Sequence, residues 1–419
     1  MATARRFHDA SLDSKIEAAQ RLLDARGLID SLATLVRIPS VHDPKRSNGN
    51  EEAAVDYLSG LLDGWRLPYT RHDAAPRRPN LIVDLPGGRP GPILILEGHT
   101  DVVTAGNRSA WSVDPFGAEI RERRMYGRGA VDMKGGLAAM IFAARAIAES
   151  GASYAGTIRL AILADEEGLM LGAKRFVRDG YLEGATAAII CEPEGDRVCI
   201  AQKGSIRIRA VLVGKMAHGA MPEEGANPIV ALGEVIHACR ALERDIQAEC
   251  GEDTLLGSFY ITPTVVLGGE REQGNVIPAE AELMLDIRTT SGQDHWELLQ
   301  RVETAIDAAA GGVPGVSVVH EIVDDRPATS TDPDDPIVRA VVAAHERATG
   351  DTPPFGGVPG STDGTIFWAA TRIPLVTYGP GSTTLPHQAD EYVDIDDVER
   401  YARTYIDAAL NYFAMKEHD

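Results

Sequence analysis

Seven side chains with metal-binding donors stand in short motifs along the chain. They are His99 and Asp101 in Gly98-His-Thr-Asp-Val-Val103, Asp132 in Tyr126-Gly-Arg-Gly-Ala-Val-Asp-Met-Lys-Gly-Gly136, Glu166 and Glu167 in Asp165-Glu-Glu-Gly168, Glu192 in Cys191-Glu-Pro193, and His387. Imidazole nitrogens and carboxylate oxygens suit zinc and its first-row neighbours in low-coordinate sites. Singly, each residue has an ordinary explanation: a loop histidine is usually a polar surface group, and Glu166-Glu167 a solvated acidic turn. Together, at the ends of several buried strands, they would repel one another or sit unpaired unless a cation neutralised them. Other nucleophilic schemes fail, because the chain has no G-x-S-x-G elbow and no cysteine in a recognisable active-site motif.

The elements that must position these groups are short apolar runs. Ile93 to Leu96 leads into His99, Leu160 to Leu163 into Glu166-Glu167, Ile189-Ile190 into Glu192, and Leu375 to Thr377 into the glycine loop before His387. In open α/β sheets ligands bind beyond the carboxyl ends of the strands, so these groups are expected in one crevice. The Gly-x-Gly of the Asp132 loop follows no strong strand, which makes a dinucleotide site a weak reading. Helical spacing marks Ser14 to Ile38 as one opening helix, then Glu51 to Leu62, Leu137 to Ser150, Ala173 to Asp179 and Ile337 to Thr349. From about Ser205 the pattern becomes alternating strands (Ile206 to Val213, Thr264 to Leu267, Ala281 to Arg288) with helices at Asn227 to Ala248 and Asp294 to Ala310, as in a small antiparallel α+β unit. The expected fold is therefore α/β: a mixed-sheet catalytic domain, residues 1–204 and 323–419, with a smaller α+β domain, residues 205–322, inserted.

With 62 acidic against 41 basic side chains the formal charge is −21, which opposes binding to nucleic acid or to anionic lipid. The four cysteines form no C-x-x-C pair and cannot build a disulfide framework in so long a chain. No apolar stretch follows the N-terminal charges, so no signal peptide and no membrane span are expected, and the cytoplasm is the expected compartment.

These motifs, with Ala217-His-Gly-Ala-Met-Pro222, Asn275-Val-Ile-Pro278 and Asp286-Ile-Arg288, resemble a known family over nearly the whole chain. It is the zinc-dependent aminoacylase, acetylornithine deacetylase, succinyl-diaminopimelate desuccinylase and glutamate carboxypeptidase family of metallohydrolases. The resemblance implies two divalent metal ions, zinc with cobalt or manganese as substitutes. His99, Asp132 and Glu192 would hold one, Asp132, Glu167 and His387 the other, with Asp132 bridging. Three carboxylates and a bridging hydroxide carry roughly −4 against +4, a near-neutral site that tolerates burial. Asp101, two residues past His99 on an extended segment, shares its side of the strand and is expected to accept the other imidazole N–H and fix the tautomer. Glu166, beside a ligand but not one itself, is the general-base candidate.

In the inserted domain the likeness gives His218 the oxyanion of the tetrahedral intermediate, and Arg288 and Asn275 the substrate carboxylate. Gly360-Ser-Thr-Asp-Gly364 resembles a substrate-binding loop, with Ser361 and Thr362 as its contacts. The inserted domains are expected to pair as a homodimer, with His218 reaching the partner's site. The reading that follows is hydrolysis of an amide C–N bond in a small carboxylate substrate, foremost an N-acyl amino acid. The alternatives are a dipeptidase or carboxypeptidase, hydrolysis of another C–N bond such as an aromatic amine or carbamoyl group, and a noncatalytic metal-containing binding protein.

Overall fold

In a computed structural model, which describes residues 10–43 and 51–418, the chain divides into two compact units. The N-terminal residues on which the expectation of no leader rests lie outside the described ones. One unit comprises residues 1–200, 330–356 and 362–419, the other 201–329 and 357–361. The expected boundary at Val323 falls inside the strand Ser317–Arg326, which pairs with Gly204–Val213 past a bulge at Ile322/Asp324 and so stays with the second unit to its end. Ser361, expected in the larger domain, groups with the second unit.

The larger unit is built on a nine-stranded mixed sheet. Its centre is four parallel strands in the order Tyr154–Leu163, Gly88–His99, Ala185–Ile190 and Leu375–Thr377. Parallel central strands are covered on both faces, which is why they read as continuous apolar runs. On one face Ile95, Leu163, Ile190 and Leu375 pack with Phe176 and Phe367, from the short helices Leu171–Arg178 and Gly364–Thr371. The helices Gly135–Ser150 and Ile395–His418 also pack on the central strands and on each other.

The opening segment forms two helices where the sequence predicts one. Ala10–Arg21 and Ala25–Arg37 are separated at Asp24, whose carboxylate accepts the Gly27 N–H at 2.9 Å and starts a new N-terminus. Gly136, in the first turn of its helix, lies against the Cys191 carbonyl, and a Cβ there would come within 2.0 Å of that oxygen. Only glycine lets the Asp132 loop approach the Glu192 loop this closely.

The smaller unit is a four-stranded antiparallel sheet in the order Tyr260–Gly268, Glu280–Thr289, Gly204–Val213 and Ser317–Arg326. Alternation places Ile206, Ile208, Leu212, Leu283, Leu285 and Ile287 against the helices Pro228–Cys250 and His295–Gly311. The intervening positions, Arg207, Arg209, Glu282, Asp286 and Arg288, are polar and partly exposed. Among the described residues no helix is long and apolar enough to cross a membrane.

Candidate metal centre

His99, Asp101, Asp132, Glu166, Glu167, Glu192 and His387 meet at the carboxyl ends of the four parallel strands. His99 ends its strand and is fully buried. Its Nδ1 lies 3.0 Å from the Asp101 carbonyl oxygen and 3.5 Å from that residue's carboxylate. The imidazole N–H therefore goes to the Asp101 backbone, where the sequence suggests its side chain. The carboxylate has other work, since Oδ1 accepts the Glu166 N–H and Oδ2 the Glu167 N–H, each at 3.1 Å. Asp101 thus fixes His99 through one group and the Glu166-Glu167 turn through another.

The far nitrogen of His99, Nε2, is buried with no hydrogen-bond partner. It faces Asp132 Oδ1 at 3.4 Å and Glu192 Oε1 at 3.3 Å. On the other side of Asp132, Oδ2 lies 3.1 Å from His387 Nε2, which is also 3.1 Å from Glu167 Oε1. Donor atoms of His99, Asp132 and Glu167 all lie within 4.8 Å of one another, and so do those of His99, Glu166 and Glu192. Metal bonds of about 2.0–2.2 Å in tetrahedral geometry put neighbouring donors roughly 3.3–3.6 Å apart. The separations around His99 match that spacing, and the orphaned nitrogen points where a cation would sit. The donor set fits a divalent ion.

The electrostatics demand positive charge. Burial and the neighbouring Asp132 push Glu192 up to about 7, and burial drives Glu166 well above the ordinary carboxylate range. Burial opposes ionised Asp132 too, yet the closeness of the His387 and His99 rings overrides it and holds that carboxyl below its usual value. His387 is raised to about 10 by its bonds to Asp132 and Glu167. Burial disfavours a charged His99, but Glu192, Asp101 and Asp132 outweigh it and lift the imidazole well above its ordinary value. The carboxylates thus recruit protons onto both rings where cations would otherwise balance them.

Several supporting residues escape the sequence reading. Glu97 is buried two positions before His99, and Asp363 is buried as well; burial first, then the charges of Asp363 and Glu192, raise the Glu97 carboxyl. A charged residue inside an apolar strand was the available signal. Arg78 donates to Asp165 Oδ1 at 2.5 Å and to Glu51 Oε1 at 2.8 Å, anchoring the turn that presents Glu166 and Glu167. A cleft of about 350 Å³ opens beside His387, lined by Thr104, Asn107, Arg128 and small residues such as Ala105, Gly106 and Ala389.

The remaining site candidates divide between the units. Exposed His218 lies on a two-residue strand, Ala217–His218, paired with Val276–Ile277, and Gly219 N–H donates to the Asn275 carbonyl at 2.7 Å, so His218 and Asn275 are neighbours. His218 Nδ1 accepts the Ala220 N–H at 3.0 Å, which leaves the ring proton on Nε2. Arg288 is paired with Asp286 through Nε at 2.6 Å and Nη2 at 3.0 Å. Ser361 donates to the Lys203 carbonyl at 2.9 Å. Thr362, in the larger unit, is buried and its hydroxyl accepts the Gly364 N–H at 3.2 Å.

Carboxylates and histidines gathered at the strand ends, buried His99 among them, form a candidate metal centre. The chain belongs to peptidase family M20/M25/M40, whose description matches residues 95–411, and it is a metal-dependent hydrolase acting on amide C–N bonds. It is 30% identical over 406 residues to a succinyl-diaminopimelate desuccinylase of Rhodospirillum centenum, covering 91% of this chain and 96% of that one. Among solved structures it is similar to the dipeptidase Dug1p of Saccharomyces cerevisiae, with a TM-score of 0.76 at 20% identity over 96% of this chain and 98% of that one. It is also similar to a Bacillus subtilis protein described as a dinuclear metal binding peptidase, with a TM-score of 0.71 at 18% identity over 93% and 98% of the two chains. At these identities the two structures speak for the fold alone.

Proposed function

We propose that this protein removes the acyl group from a small N-acylated amino acid with the help of two divalent metal ions, zinc foremost and cobalt or manganese in its place. The observation that carries the reading is the buried, unpartnered Nε2 of His99 facing Asp132 and Glu192. His99, Asp132 and Glu192 hold one ion, and Asp132, Glu167 and His387 the other. Such ions, when bound, polarise a carbonyl oxygen and lower the pKa of water. Glu166 takes the proton of the attacking water on its carboxylate and returns it to the leaving nitrogen. Asp101 keeps that carboxylate in place through the backbone of the turn. The desuccinylase relative supports deacylation over peptide cleavage.

The smaller unit supplies most of the rest. His218 presents an Nε2–H donor, which is the group a developing oxyanion needs. Arg288, with Asn275, receives the substrate carboxylate. Arg207 lies 3.9 Å from the Asp286 that pairs with Arg288, so that acid is shared between two cations, and Lys203, which also feels Asp253, adds its charge to the field at Arg288. Ser361 and Thr362 contribute through the backbone of their loop, because their hydroxyls are engaged internally. A homodimer forms through this unit: its edge strand Tyr260–Gly268 exposes Val266 at 54% and Leu267 at 58%, an apolar edge that a second copy covers. The protein works in the cytoplasm, where its free cysteines stay reduced.

A substrate panel with added zinc or manganese tests the activity. N-succinyl and N-acetyl amino acids are hydrolysed with higher kcat/KM than N-carbamoyl amino acids or dipeptides. Faster cleavage of dipeptides would make the protein a peptidase instead.

Subunit mixing tests His218. Equal amounts of His218→Ala and Glu166→Gln proteins, each nearly inactive, are combined under conditions that exchange subunits. If His218 serves the partner's site, each mixed dimer has one site with both defects and one intact. Half the dimers are mixed, so activity recovers to roughly a quarter of wild type under statistical two-fold pairing. Exchange confirmed by mass with no recovery places His218 in its own subunit's site or in none.

A further inference from the structure

Asp132 and His387 are far apart in the sequence, and one buried side chain ties their segments together. Glu391, four residues beyond His387, is fully buried. Its Oε1 accepts the backbone N–H groups of Val131 at 3.0 Å and Asp132 at 3.2 Å, and its own carbonyl accepts the Gly127 N–H at 2.8 Å. Its Oε2 accepts from Arg128 Nη1. Arg128, itself buried, donates through Nε to the Thr104 carbonyl at 3.2 Å and lies over the Trp111 ring, 5.3 Å from its centroid. Next to it, Asp390 accepts the Ser112 N–H at 2.7 Å. Glu391 thus grips the backbone at the residue that faces both histidines, while its place in the chain sets where the His387 segment begins. His387 itself is half exposed, and its Nε2 lies 3.1 Å from Asp132 Oδ2 and 3.1 Å from Glu167 Oε1.

We infer that Glu391, locked by Arg128, is a positioning residue that sets the separation of Asp132 and His387 and so the affinity for the ion those two share. The inference rests on the proposed reading that they bind a divalent ion. A carboxylate held by an arginine and two amides is a stiff, charge-assisted support. Support of this kind behind metal ligands typically contributes 10–100-fold in metal affinity or activity. A buried ion pair acting only on folding would instead change stability and leave ion affinity untouched.

Zinc affinity measured by chelator competition on the full chain separates the two, together with the visible spectrum of the cobalt-loaded protein and the melting temperature of the metal-stripped form. Wild type takes up two ions. In Glu391→Gln the affinity for one ion falls by about 10–100-fold, the cobalt absorption of that ion changes, and the other ion binds as before. Arg128→Lys, which keeps a cation beside Oε2, shows a smaller loss in the same direction, and it carries the test if Glu391→Gln does not fold. Folded variants that bind both ions as wild type does overturn the inference. So does an equal loss of both ions that follows a drop in the metal-free melting temperature. Wild-type protein that takes up no ion overturns the metal reading itself, which the other two outcomes leave standing.

Discussion

Changing Glu166 to Gln lowers kcat by about 10²–10⁴-fold, the usual contribution of a positioned general base, while the fold and the ion content hold. The backbone of residue 166 is fixed by Asp101 Oδ1, and that bond does not depend on the side chain, so the turn survives the substitution. Gln is close to Glu in volume and removes one negative charge from a cluster where burial first, then the neighbouring carboxylates, push the Glu166 carboxyl upward. What it cannot do is take a proton. KM should stay near wild type, because the lost interaction belongs to the transition state. A normal kcat would reassign the base. A Gln variant that folds but loses ions would reassign Glu166 as a ligand, a concrete alternative given that its oxygen lies within 4.8 Å of donor atoms of both His99 and Glu192.

How much of this was legible in the sequence follows from the range of each interaction. The four central strands were readable because burial on both faces leaves uninterrupted apolar runs, and the chain's direction then fixes which end of each run carries the donor. The break at Asp24 was missed because apolar spacing continues across it and only the capping carboxylate marks the new start. Asp101 lies two residues beyond the end of the His99 strand, and extended geometry does not say whether an imidazole N–H will choose a carboxylate or the carbonyl of the same residue. Glu391 and Arg128 were out of reach altogether. They are 263 residues apart, and nothing local distinguishes Glu391 from any acid in a polar loop. Arg78, Asp165 and Glu51 form a second such network, with sequence separations of 87 and 27. Periodicity reports which face of an element is buried; it carries no information about which distant charge meets which.

Stripping the protein of divalent ions with a chelator abolishes turnover, and adding zinc, cobalt or manganese restores it. Among the described residues around His99, the group proposed to take the proton of water is Glu166, a carboxylate whose basicity is far too low to deprotonate bulk water by itself. The same treatment lowers thermal stability. A ligand that binds only the folded form stabilises it by about 2.7 kcal/mol when present at 100 times its Kd, and that contribution disappears on stripping. The clustered acids must then be balanced by protons on His99 and His387, rings that these carboxylates already pull above their ordinary values. Protons neutralise the charge but leave His99 Nε2 facing two carboxylate oxygens at 3.3 and 3.4 Å, without a bond that satisfies either fully. The stripped protein should therefore remain folded but melt earlier, and calorimetry before and after adding zinc reads the difference. Full turnover by protein shown by elemental analysis to be metal-free would rule out the mechanism. Lost activity with an unchanged melting temperature would mean that the ions act on the chemistry without being held by the buried cluster around His99.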